Sequence, residues 1–334
     1  MSAQTWPWPA GSATGIGSLP GVDIAEAQKT VLGELPDLPH LAELPARGPG
    51  ADLVGRGAGL LTETPVELYA ARWRLAARPG RDLRVTRDLM ERDLDQLTAQ
   101  ASGYAGPLKV QVAGPWTLAA TLELPRGGPA LADPGAARDL AAALADGVRA
   151  HVAAVAARVP GATVLLQLDE PLLAAVRAGR VPTASTLSTV RPVGDDVVRA
   201  ALALVIAEAG VPAVVHCCAA DPPVSLIAEA GAAAAAIDLD QIGDLDELGL
   251  ALDRGLGVFA GAAATDPQMP ANPMVIADRV ERWWHVLGFA PAQLPAQVVV
   301  TPACGLAGGS GARARALLTA CYRAGRELRD RIGV

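Results

Sequence analysis

The chain has 334 residues, 51% of them hydrophobic but only 3% aromatic, and a formal net charge of −7. Alanine, valine and leucine supply most of the apolar share, which favours many packed helices over an aromatic-rich β-sandwich, and the acidic charge without any Lys/Arg run excludes a nucleic-acid surface. The N-terminus MSAQTWPWPAGSATGIGSLPG has no basic segment leading into an apolar one, and Asp146, Arg149 and His151 interrupt the Ala-rich tract at 139–157, so neither a signal peptide, a membrane span nor a membrane partner is expected.

The expected compartment is therefore the cytoplasm. In that reducing setting four cysteines read as ligands, nucleophiles or core residues rather than as a disulfide framework.

In chain order, TGIGS (14–18) is the first strand candidate and ADLVG (51–55) a weaker second. Around the latter, residues 36–65 carry so many Pro and Gly that an irregular loop region is expected. From about residue 105 a rhythm sets in of short β-branched run, polar turn and Ala/Leu-rich helix, which is the βα unit. Its strands read LKVQVA (108–113), TVLLQL (163–168), PAVVH (212–216), AAAAID (233–238), LGVFA (256–260) and QVVVT (297–301). Such near-continuous apolar runs imply burial on both faces, as in a parallel sheet covered by helices. About eight strands predict an α/β fold, a (β/α)8 TIM barrel forming a single domain over 1–334, with a doubly wound open sheet as the alternative.

In a parallel barrel the loops after the strands share one mouth, so chemistry gathers at the strand C-termini. There the sequence places Gly17 and Ser18, then Gly114-Pro115-Trp116, Asp169-Glu170-Pro171, His216-Cys217-Cys218, Asp240 and Cys304. His216 and Cys218 lie two apart on an extended segment, so both project to one side and Cys217 to the other. Thiolate and imidazole suit zinc, with a carboxylate as fourth ligand, which makes His216, Cys218, Asp240 and Cys304 the candidate metal set. Cys321 sits in a helical pattern and is expected to have no chemical role.

Asp169 can project into the mouth to hold a cationic group such as an ammonium, whereas Glu170, facing the other way, competes between substrate contact and a helix cap. GIGSLPG lacks the Lys-Thr of a phosphate loop, which leaves backbone approach to a substrate at Ile16, Gly17 and Ser18, or a simple turn. Trp116 reads equally as a pocket wall for a flat ligand and as packing.

Taken together, IGSLP, GPWTL, LLQLDEP, VVHCC, IDLD and TPACGL resemble, in order and from about residue 14 to 310, the C-terminal catalytic barrel of cobalamin-independent methionine synthase, within the superfamily that also holds uroporphyrinogen decarboxylase. The resemblance implies a zinc-dependent S-methyltransferase that methylates homocysteine to methionine. It puts zinc on His216, Cys218, Asp240 and Cys304, the homocysteine amino group on Asp169, the Ile16–Ser18 backbone at its other end, and Trp116 toward the methyl donor. The donor is methyltetrahydrofolate or a methyl-corrinoid protein. Alternatives are a corrinoid-dependent enzyme acting on another thiol and a non-catalytic zinc-binding barrel.

Several features depart from the family's pattern. There is no room for its N-terminal barrel, Asp240 stands where the family usually has Glu, LGVFAGAAATDP carries no proton-handling His, and no folate-contacting Lys-Pro-Pro motif appears. His40 and Asp266 are the expected substitutes as proton donors to folate.

Overall fold

The computed structural model of the protein describes residues 5–185 and 187–333. The first four residues of the stretch expected to lack a leader lie outside them. Three helices and a hairpin come first: α1 (Ile24–Glu34), α2 (Leu53–Leu60), the hairpin strands β1 (Val66–Tyr69) and β2 (Arg72–Leu75), and α3 (Arg81–Gln100). There follow β3 (Gly106–Ala113), α4 (Pro115–Thr121), α5 (Pro134–Arg158), β4 (Ala162–Asp169), α6 (Leu173–Arg177), α7 (Asp195–Ala209) and β5 (Ala213–Cys217). The last third is α8 (Val224–Glu229), β6 (Ala234–Asp238), α9 (Leu245–Asp253), β7 (Gly257–Ala263), α10 (Pro273–Val286), α11 (Leu294–Gln297), β8 (Val298–Pro302) and α12 (Gly311–Ile332).

Strands β3 to β8 form one parallel sheet in sequence order. All six strands expected between residues 108 and 301 are present, each extended or trimmed by a few residues. Their helices start where the sequence supplies a cap: Asp133, Asn272 and Ser310 accept backbone N–H bonds at the starts of α5, α10 and α12, and Pro follows the cap of α4, α5 and α10.

The first two expected strands are not strands. Residues 51–55 begin α2, capped by the Asp52 side chain on the Gly55 N–H, so local capping chemistry prevails over the apolar run. Residues 14–18 form no strand, and this segment makes only isolated bridges. Parallel bridges join Ala13 to Val300 of β8, Ser18 to Glu43, and His40 to Lys109 of β3, so that two irregular segments link the two edges of the curled sheet. The stretch 36–65, expected as an irregular loop, thus holds a bridging segment, a 3-10 turn at Pro45–Arg47 and α2.

Two cores result. Alternate strand residues such as Val164, Leu166, Leu168, Val215 and Cys217 face the helices in the large outer core. Leu165, Val214, Ala234, Ala236, Phe259 and Val299 face inward around Trp8. Trp8 stacks on Trp6, meets Phe259 edge-on and donates to the Ala296 carbonyl just ahead of β8, closing the N-terminal end of the sheet. Further along the same inward parity the side chains become polar, with Lys109, Gln111, Gln167, Asp169 and His216 all buried.

Candidate metal and substrate site

His216, Cys218 and Cys304 come together from β5, its following loop and the loop after β8. Their ligand atoms all lie within 4.8 Å of one another, and the two sulfurs are 3.7 Å apart. His216 accompanies Cys218 because alternate residues of an extended chain share a side. Cys217 faces the outer core instead, where burial pushes its thiol up to about 11. Contact between the two remaining sulfurs holds Cys304 below the ordinary thiol range and Cys218 above it, so the pair favours one thiolate beside one thiol.

The imidazole is aimed by its neighbour. His216 Nδ1 lies 2.9 Å from Asp169 Oδ1, while the buried Nε2 has no hydrogen-bond partner. A carboxylate on one ring nitrogen fixes the tautomer and leaves the other as a donor to a cation. Two soft sulfurs and one orphaned imidazole nitrogen fit zinc by donor type.

Asp169 is itself held. Gln167 Nε2 donates to Asp169 Oδ1 at 2.7 Å and to the Ile16 carbonyl at 2.8 Å. Lys109 Nζ reaches the same carbonyl at 3.2 Å and Gln111 Oε1 at 3.2 Å. The residue 16–18 segment therefore sits against the polar interior. On its other side the Ser18 carbonyl accepts from Leu306 N, and a Cβ on Gly305 would lie 2.1 Å from Ser18 Oγ, so the segment abuts the Cys304 loop. Gly17, at φ +147°, passes so close to Gln111 that a Cβ would meet its Cγ at 2.7 Å.

A family model described as the catalytic domain of cobalamin-independent synthase matches residues 101–327. The chain belongs to this family. A B12-independent methionine synthase from Shewanella sp. W3-18-1, solved in complex with selenomethionine, aligns over 97% of this chain and 99% of its own at TM-score 0.62 and 14% identity. A methyltransferase from Methanosarcina mazei aligns over 96% of this chain and 94% of its own at TM-score 0.51 and 14% identity. At those identities the likeness is one of fold. No curated protein sequence matches the chain.

Within this synthase-like fold the other expected site residues are placed differently. Glu170 is fully buried and receives the Trp116 and Thr117 N–H groups and the Thr117 hydroxyl at 2.7 to 2.9 Å. It caps α4, the helix after the neighbouring strand, rather than touching the inner face. Burial pushes it up to about 7 against those donors. Trp116 is buried with its Nε1 on the Val198 carbonyl of α7, so it packs two helices together and presents no face to a ligand. His40 is wholly buried with Nδ1 on its neighbour's carbonyl, which rules it out as a group that swings over the site.

Asp240 is outside the metal cluster. Its side chain is 70% exposed and ion-paired with Arg279 of α10, which also donates to the Ala262 carbonyl. The physical reason is the 3-10 turn at Leu239–Gln241, which ends the alternation of β6 before Asp240 is reached. Asp238 keeps the inward parity of Ala234 and Ala236, one residue beyond the Cys217–Ile237 pair of the β5–β6 ladder. Partial burial and the repulsion of Asp240 raise its carboxyl. Asp240→Asn should therefore leave metal stoichiometry unchanged and cost no more than about 1 kcal/mol, as for exposed ion pairs. Metal analysis and a urea melt check this, and loss of metal would restore Asp240 as a ligand.

The residues missed at the sequence level are Glu43, Lys109, Gln111, Gln167 and Asp238. The signal for three of them was present: Lys109 and Gln111 in LKVQVA, and Gln167 in LLQLDEP, are polar residues at alternate positions of otherwise apolar strands, which marks an inward polar face.

Proposed function

We propose that the chain is a zinc-dependent S-methyltransferase that converts homocysteine to methionine, on a (β/α)8 barrel whose first two strands are reduced to bridged segments. The observation that carries this reading is the convergence of the His216 imidazole, whose Nε2 has no hydrogen-bond partner, with the Cys218 and Cys304 sulfurs at the C-terminal rim of the sheet. Membership of the synthase family supports it, as does a fold shared with a methionine synthase solved with selenomethionine. Bound zinc supplies the Lewis acidity that makes a substrate thiol a thiolate at neutral pH, where a free thiol near ~8.5 is mostly protonated.

The chain's own residues do the rest. His216, Cys218 and Cys304 would hold the metal; Asp238 shares the inward parity but lies outside that cluster, its Oδ1 accepting from the Asp240 N–H. Asp169 orients His216 through Oδ1 and offers its negative charge to the substrate ammonium. The Ile16–Ser18 backbone frames the amino-acid end beside the Cys304 loop. Homocysteine, a methyl donor of the folate or corrinoid class, and a cytoplasmic setting complete the proposal, with the whole chain acting as one domain.

Asp169→Asn tests it. The amide keeps an oxygen for His216 Nδ1 but loses the charge, so zinc should stay while homocysteine affinity falls roughly tenfold to a hundredfold, the worth of a charge-assisted contact at about 1.5–3 kcal/mol. Isothermal titration of the zinc-loaded protein measures both. Unchanged affinity would confine Asp169 to orienting the imidazole, and an unmodified protein without methionine formation from either donor would remove the assignment.

A further inference from the structure

The Ile16 carbonyl is unusual in being held from inside the sheet by two buried side chains of different strands, Lys109 Nζ from β3 and Gln167 Nε2 from β4. Gln167 passes the connection on to Asp169, and Asp169 to His216. Lys109 has no contact with solvent, and no helix face requires it. It stands among Glu43 and Asp169, both nearly buried, and its second hydrogen bond goes to Gln111, on which Gly17 packs. Glu43 in turn pairs with Arg56, and Arg56 and Arg47 with Asp93, a buried charge network running out to α3. Burying an ammonium costs several kcal/mol unless it is compensated, so a Lys at this position has to be explained by what it holds.

We propose that Lys109 is a positioning residue for substrate selection: by fixing the Ile16 carbonyl jointly with Gln167, it sets the distance between the residue 16–18 segment, which receives the amino-acid end of the substrate, and the His216–Cys218–Cys304 cluster, which receives its sulfur. The inference rests on the homocysteine reading of the site. It assigns recognition of the amino-acid end, as distinct from the thiol, to a side chain that touches neither. A thiol with no amino-acid end has nothing to gain from the segment and should be indifferent to Lys109.

The test uses the full chain loaded with cobalt(II) in place of zinc, titrated with L-homocysteine and separately with ethanethiol, and followed by the thiolate-to-cobalt charge-transfer absorption. Turnover plays no part in that readout. Lys109→Met should weaken homocysteine about tenfold or more, the effect of one lost buried hydrogen bond to the segment, while ethanethiol stays within about twofold and metal content is unchanged. An equal loss for both thiols, or no loss for homocysteine, overturns the proposal. Lys109→Gln, which retains a shorter neutral donor, is measured alongside; if neither variant melts cooperatively, Lys109 is scaffold and the proposal falls. Failure of the parent reading looks different, since unmodified protein would then show no absorption change with homocysteine at all.

Discussion

His216→Ala or Cys304→Ser should strip the protein of zinc and abolish methyl transfer, whereas Cys217→Ser should keep both. Zinc sites of this donor type gather about 10–16 kcal/mol from their ligands, so deleting one costs on the order of 3 kcal/mol, a hundredfold or more in affinity. Cys217 differs from its neighbour only in the side of the chain it occupies. It is fully buried among outer-core residues, and its raised thiol pKa opposes thiolate formation. Metal analysis after dialysis against a chelator separates the two classes. Zinc lost from Cys217→Ser but kept by Cys218→Ser would mean that the alternation in VVHCC is read the wrong way round.

The same alternation explains how much of the molecule can be read without coordinates. Six parallel strands are legible because each is an apolar run buried on both faces, and the three members of the His216–Cys218–Cys304 cluster are legible because they fall at strand ends. The fourth expected donor, Asp240, does not join the other three: IDLD contains two aspartates of equal parity, and only the backbone shows that the chain turns between them. The hairpin β1–β2 carries no turn signal. Its two central residues are Ala70 and Ala71, both at positive φ, where Asn-Gly would have marked the turn. The bridged segment 39–43 is hidden for a different reason. Its partners are two single residues, Lys109 of β3 and Ser18 of the other bridged segment, so no local periodicity records it. Glu170 shows the limit for side chains: DEP announces two carboxylates on opposite sides, but which helix the outward one caps is a tertiary fact.

Methyl transfer from a methylcobalamin donor is expected to outpace transfer from methyltetrahydrofolate by a wide margin. The folate nitrogen is a poor leaving group that needs a proton as its methyl departs, whereas a corrinoid releases its methyl to a thiolate without one; general acid catalysis of that step contributes typically about 10²–10⁴-fold. The chain has four histidines, and none is placed to give that proton. His216 belongs to the proposed metal cluster, with Nδ1 on Asp169. Burial lowers His40 to about 3 and His151 to about 4, so neither carries a proton at neutral pH. His285 lies in the last turn of α10, which runs back toward the strand N-termini, and it lines a surface cleft with Trp284 and Phe289. Asp266 remains, exposed in the loop after β7, with its carbonyl held by Arg313 and its carboxylate turned onto Gln268 N. Rates with the two donors at saturating homocysteine and zinc, in the unmodified protein and in Asp266→Asn, decide the matter. Loss of folate-dependent turnover in that variant would make Asp266 the proton donor. Efficient folate turnover that survives the substitution would defeat the argument from the histidines, because a proton would then be reaching the folate nitrogen by a route that none of these side chains supplies.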